Sequence, residues 1–142
     1  MIKQVHILLV EDNEGDIMLT TDAFDDYKTD TTVTVVRNGK MAIEYLFKIG
    51  VYINAKRPDI VVLDINLPFK NGLEVLEIIK SDDAIKSIPV IMLTTSSSKN
   101  DVSQSYAHHA NAFITKPVDV NDFLKAIMSI EDFWLNTTKL PN

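Results

Sequence analysis

Five short apolar runs, set between longer amphipathic segments, restrict the folds open to this chain more than any other feature. They are VHILLV (5–10), VTVV (33–36), DIVVLD (59–64), PVIMLT (89–94) and AFIT (112–115). Runs of this length, apolar at consecutive positions and rich in β-branched residues, read as strands covered on both faces, the habit of a parallel sheet. The second run carries Thr34 inside it and is expected at a sheet edge. Between the runs, GDIMLTTDAFDDY places Ile17, Thr20, Phe24 and Tyr27 at helical spacing, and GLEVLEIIKSD does the same with Leu73, Leu76 and Ile79. Strand then helix, repeated five times, predicts an α/β doubly wound fold with helices on both faces, because right-handed crossovers lay them there.

Local punctuation agrees with these boundaries. Asn38-Gly39 follows the second run, Asn71-Gly72 precedes a helical segment, and Lys116-Pro117 closes the fifth run before VDVNDFLKAIM opens a helix near Val120. Ser98 or Asn100 suits a helix start after the fourth run. The stretch FKIGVYINAKRP (47–58) is longer than a helix-to-strand connection needs and reads as a surface elaboration. At 142 residues and 46% hydrophobic content, the expectation is one domain spanning 1–142, with no output domain.

Composition removes several classes of chemistry. There is no cysteine, so disulfides, thiolate catalysis and Cys-ligated metals are out. The net charge is -6, with 14 bases among 20 acids, which argues against a nucleic-acid partner. No apolar run approaches the ~20 residues of a membrane span, and the N-terminus lacks signal-peptide chemistry. A cytoplasmic protein with protein partners and no membrane association is expected.

The apolar runs end on polar residues of a particular kind. Glu11 and Asp12 follow the first, Asp64 ends the third, Thr94 the fourth, and Lys116 follows the fifth. In an open parallel sheet the carboxyl ends of the strands share one edge, where ligands bind. Clustered carboxylates repel one another unless their pKa values rise or a cation sits among them. Magnesium suits such oxygen donors, takes one or two carboxylates directly, and completes its shell with water and phosphate oxygens. A remaining carboxylate is then free as a nucleophile, with Lys116 and the Thr94 hydroxyl able to meet phosphoryl oxygens. The set suits phosphoryl transfer to an aspartate.

LLVEDN, DIVVLDINLPFKNGLEVL, IPVIMLTTS and AFITKPVD, in this order and spacing, resemble the response-regulator receiver domain of two-component signalling over nearly the whole chain. The resemblance implies a flavodoxin-like three-layer sandwich, its five-stranded parallel sheet ordered 2-1-3-4-5, an order carried over with the family. It implies that Asp64 is the phosphoacceptor, charged by a sensor histidine kinase or a phosphotransfer protein. Asp12 and Asp64 would hold Mg2+ directly, Glu11 through water and Asn66 through its backbone carbonyl. Thr94 would be the switch hydroxyl, Phe113 the aromatic that follows it, and Lys116 the phosphoryl-pairing cation, with a cis bond to Pro117. YLFKIGVYINAKRPD, TTSSS and the tail SIEDFWLNTTKLP further resemble the regulators of phytochrome-type kinases. On the extended last helix, Phe133 and Trp134 are expected at a homodimer interface, since the helix carries more apolar area than one packing face uses.

Other roles fit the same residues less well. A haloacid-dehalogenase-type phosphohydrolase also uses a strand-end aspartate, but needs an acid two residues on, where this chain has Asn66. A pseudo-receiver that signals by protein contacts alone would not require the intact acids, Thr94 and Lys116. Asp59, at the start of the third run, reads as structural. His108 and His109, adjacent on a helix, point about 100° apart and read as a solvated face.

Overall fold

The computed structural model describes residues 3–25, 29–137 and 139–141. Strands β1 (Lys3–Val10), β2 (Thr29–Val36), β3 (Ile60–Leu63), β4 (Val90–Thr94) and β5 (Ala112–Thr115) alternate with helices α1 (Glu14–Phe24), α2 (Gly39–Leu46), α3 (Gly72–Ser81), α4 (Lys99–Ala107) and α5 (Val120–Ile130). The strands form one parallel sheet in the order β2-β1-β3-β4-β5, as the resemblance implied. Among the described residues no helix is long and apolar enough to cross a membrane.

Side-chain alternation along the inner strands separates two cores. Leu8, Val10, Val61, Leu63, Val90 and Met92 pack with Ala42 and Leu46 of α2 and Val75, Leu76 and Ile79 of α3. Ile7, Leu9, Ile60, Val62, Ile91 and Leu93 face the other way, onto Phe24 of α1 and Phe123, Ile127 and Ile130 of α5. A strand buried on both faces must be apolar at every position, which is why β3 and β4 read as unbroken runs. Each such side chain stabilises the fold by about 1.5–3 kcal/mol relative to exposure.

The helices begin on polar caps that also close the loops at the sheet's carboxyl edge. Asn13, Asn38, Asn71, Ser98 and Asp119 each accept a hydrogen bond from the backbone N–H three residues on. Asn71 and Glu74 complete a reciprocal capping box. Such caps contribute about 1 kcal/mol each.

The structure extends or corrects several expectations. β1 begins at Lys3 and β2 at Thr29, earlier than the apolar runs suggested, with Lys3 paired to Thr29 and His6 to Thr32. The added part of β2 is threonine-rich; β-branched residues suit a pleated edge, while their polarity hides them from an apolar pattern. Tyr27, expected on the first helix, lies outside the described residues. Asp59 is structural: its Oδ2 accepts the His6 N–H at 2.7 Å, and its own N–H donates to His6 O at 2.7 Å. After Ile130 the chain continues as a π-helical turn, Glu131–Thr137. There Phe133 is 54% exposed, whereas Trp134 is half-buried and packs partly against the α1/α5 core.

Candidate functional site

The ladder continues past the strand ends and brings the polar residues together. Glu11 N–H donates to Val36 O at 3.0 Å, Asp64 N–H to Val10 O at 3.1 Å, and Lys116 N–H to Thr94 O at 2.7 Å. These bonds hold three chain crossings at one edge, so the side chains that follow converge without help from any local motif.

Glu11, Asp12 and Asp64 each offer a carboxylate oxygen, all within 4.8 Å of one another. The three differ in environment: Glu11 and Asp64 are buried, whereas Asp12 is exposed at the mouth. Lys116, itself 7% exposed, reaches into the cluster. Its Nζ bonds Glu11 Oε1, lies 3.1 Å from Asp64 Oδ2 and 3.0 Å from Asp16 Oδ2. Asp16, in the first turn of α1, is an addition to the residues that the sequence marks for the site. No local pattern marks it: Asp12 precedes the N-cap Asn13 and lies outside the helix, and Asp16 meets the cluster through Lys116, 100 residues away in the chain.

Burial dominates the electrostatics of Glu11 and lifts its pKa from 4.5 to about 7, against the opposing pull of Lys116. Lys116 is also penalised by burial, yet Glu11, Asp64 and Asp16 outweigh that and hold its pKa above the ordinary lysine value. Glu11 has both oxygens engaged: Oε1 by Lys116, and Oε2 by the N–H groups of Asp12 at 3.1 Å and Asn13 at 3.3 Å.

The remaining expected residues sit around this centre. Asn66 is exposed, and its N–H donates to Asp64 Oδ1 at 3.3 Å. Thr94 is fully buried at the end of β4, its Oγ1 accepting the Ser96 N–H at 3.3 Å. Phe113 on β5 is half-buried against the α2/α3 core, and its N–H donates to the Tyr106 hydroxyl at 3.2 Å. Phe133 and Trp134 lie beyond the far end of α5, outside the acid cluster. The Lys116–Pro117 bond is trans, correcting the cis form implied by the resemblance. Trans is intrinsically favoured by about 0.5–1 kcal/mol at an X–Pro bond, and from it Lys116 makes all three of its carboxylate contacts.

A glycine completes the frame. A Cβ at Gly72, the first residue of α3, would run into the carbonyl oxygen of Asp64 and lie 2.7 Å from Ile65 Cα. The absence of a side chain lets α3 start directly against the strand end that carries Asp64.

The family model of the response regulator receiver domain matches residues 7–128. The chain belongs to this family. Among relatives of this receiver domain, Response regulator Rcp1 of Synechocystis sp. is 42% identical over 135 residues, covering 95% of this chain and 92% of the relative. The phosphorylated cyanobacterial phytochrome response regulator RcpA superposes with a TM-score of 0.96 at 44% identity, over 98% of this chain and 99% of that one. The Mn2+-bound form of Rcp1 gives 0.95 at 40% identity, over 97% of this chain and 99% of its own. The receiver domain described here is thus a response regulator of two-component signalling, homologous to phytochrome response regulators. Its acid cluster, all hard oxygen donors with one exposed member, fits a divalent cation.

Proposed function

We propose that Asp64 is the phosphoacceptor, charged by a phytochrome-type sensor histidine kinase in the cytoplasm, with Mg2+ as the required cation. The observation that carries this reading is the position of Asp64: a buried carboxylate at the end of the central strand β3, with Lys116 Nζ 3.1 Å from Oδ2 and two further acids beside it. An Asp64 oxygen forms a bond to phosphorus as the phosphorus–nitrogen bond of the partner's phosphohistidine breaks, and the imidazole leaves with the electron pair. Lys116 neutralises charge on the phosphoryl oxygens, and the Thr94 hydroxyl donates to another of them.

As in the family the chain belongs to, Asp12, Asp64 and the Asn66 carbonyl would hold Mg2+ directly and Glu11 through water, with Asp12 the exposed member of the cluster. The cation supplies charge neutralisation for the incoming phosphoryl group. Movement of Thr94 toward that group, followed by Phe113, shifts a two-state surface that partners read. The exposed Phe133 and the adjoining Trp134, edge-to-face with ring centroids 5.6 Å apart, form the core of a homodimer contact; a monomeric mass in light scattering at high protein concentration would exclude it.

The test is intact-protein mass spectrometry after incubation with acetyl phosphate and, separately, a phosphohistidine donor, with and without magnesium. A magnesium-dependent phosphoryl adduct is expected on the wild type and none on Asp64→Asn. Adduct on the variant would refute the acceptor assignment, and failure of both donors on the wild type would favour a pseudo-receiver. Sustained turnover of a chromogenic phosphomonoester would instead point to a hydrolase.

A further inference from the structure

A cavity of about 210 Å³ opens on the other side of the molecule from the acid cluster. Pro58 and Ile88, which line it, lie just ahead of β3 and β4, so it sits at the amino ends of the strands. Its floor is apolar: Leu46, Ile85 and Ile88 are buried, and Ala55 packs against the α2/α3 core. Its rim is cationic. Lys48, Lys56 and Arg57 all line it and are exposed, and no acid is among the lining residues. The wall that supplies them, residues 45–58, contains no Asp or Glu, in a chain of net charge -6. The lining residues themselves therefore carry the opposite sign to the whole chain.

One of these cations is fixed by its side chain and another by its backbone. The Arg57 guanidinium donates to Ala84 O at 2.5 Å and to Ser87 Oγ at 3.1 Å, which ties it across the mouth. Lys48 occupies a left-handed backbone position, φ 57°, in the turn that ends α2. Its N–H donates to Tyr45 O at 3.2 Å, and the Ile49 N–H donates to Glu44 O at 2.9 Å. That position in a helix-terminal turn ordinarily favours glycine. A lysine there sets a cation on the rim against the local conformational preference. Of the acids that adjoin the lining in sequence, Glu44, Asp59 and Asp83, Asp59 has its Oδ2 on the His6 N–H and Asp83 pairs with Lys86 at 2.8 Å.

We propose that this cavity is a binding site for a small amphipathic carboxylate, with its apolar chain on the Leu46, Ile85 and Ile88 floor and its carboxylate at the Lys48, Lys56 and Arg57 rim. The volume suits a short aliphatic or single-ring body rather than a drug-sized one, and the planar guanidinium matches a carboxylate. Nothing in the phosphoacceptor reading requires this site, which uses none of the same residues.

The experiment is a methyl NMR titration of the full chain with octanoate, and with octanol as its neutral counterpart. Octanoate is expected to give saturable shifts at the Leu46, Ala55, Ile85 and Ile88 methyls. The double variant Lys48→Glu, Lys56→Glu changes only exposed side chains; it should weaken octanoate by about tenfold or more and leave octanol unchanged. Ala84→Phe, at the exposed mouth, should obstruct both ligands with the charges intact. No saturable shift at these methyls, equal binding of octanoate and octanol, or charge reversal without effect would each overturn the assignment.

Discussion

Lys116 Nζ stands 3.1 Å from Asp64 Oδ2, across a separation of 52 residues, and the same ammonium also bonds Glu11 and lies 3.0 Å from Asp16 Oδ2. One buried cation thus contacts three carboxylates, from the ends of β1 and β3 and from the first turn of α1, and it does so from the trans form of the Lys116–Pro117 bond. The site's stability and its chemistry share the same groups, so substitutions here should move both.

Removing that cation should destabilise the fold. In Lys116→Met the buried carboxylates of Glu11 and Asp64 lose their partner, and breaking a buried pair from one side costs about 3–5 kcal/mol. Adding Glu11→Gln should recover part of that loss. Urea unfolding of the three proteins without metal checks this, and a loss below about 1 kcal/mol in the single variant would mean the pair is effectively solvated.

Glu11 should make both stability and metal affinity depend on pH. Its folded pKa, about 7, lies above the ordinary 4.5. Between these values the folded state holds a proton that the unfolded chain releases. The contribution is therefore fully present below 4.5 and lost as pH rises through about 7. A divalent cation needs the carboxylate, so magnesium affinity should rise over the same window. Calorimetric titration with magnesium at about pH 6 and pH 8, on wild type and Glu11→Gln, tests it; identical slopes for the two would remove Glu11 from the linkage.

His6 should act with the opposite sign. Burial lowers its pKa below 6.5, Nε2 is 2.8 Å from Thr34 Oγ1 and 3.3 Å from Tyr45 Oη, and Nδ1 is buried without a hydrogen-bond partner among the described residues. Falling pH protonates the unfolded histidine first, so stability present above 6.5 is lost as pH drops below it. His6→Gln should flatten the acid limb of denaturation curves taken between about pH 7.5 and 5.5, while parallel curves for the two proteins would show that His6 does not titrate on unfolding.

Gly72→Ala should damage the site from a position with no functional group. The new Cβ meets the Asp64 carbonyl and Ile65 Cα, both backbone, so the start of α3 or the end of β3 must shift. A cost of about 1–3 kcal/mol and slower phosphorylation by acetyl phosphate are expected; Gly15→Ala, whose new Cβ would meet Asn13 Oδ1 at 3.4 Å, in ordinary contact range, should leave the labelling rate unchanged.

Much of the architecture was legible because it rests on short-range pattern. Unbroken apolar runs follow from burial on both faces of β3 and β4, and those runs alone place Asp64 and Thr94 at strand ends. Asn71, Ser98 and Asp119 mark helix starts by a bond made three residues away. The paired order β2-β1-β3-β4-β5 came instead with the family resemblance, since no local signal orders strands.

What tertiary structure alone decided depends on sums over residues far apart in the chain. Glu11 and Asp12 are sequence neighbours of like charge, yet one is 3% exposed beneath Lys116 and the other sits at the open mouth. Asp16 joins the site only because Lys116 arrives from 100 residues away. Trp134 spends part of its ring on the α1/α5 core, and residues 45–58 curl into a basic rim over an apolar floor. The sequence by itself determined which residues end the strands, because backbone periodicity and capping are local. Burial, charge balance and cavity shape were settled by packing between distant segments, because desolvation and Coulomb energies depend on every group the fold brings near.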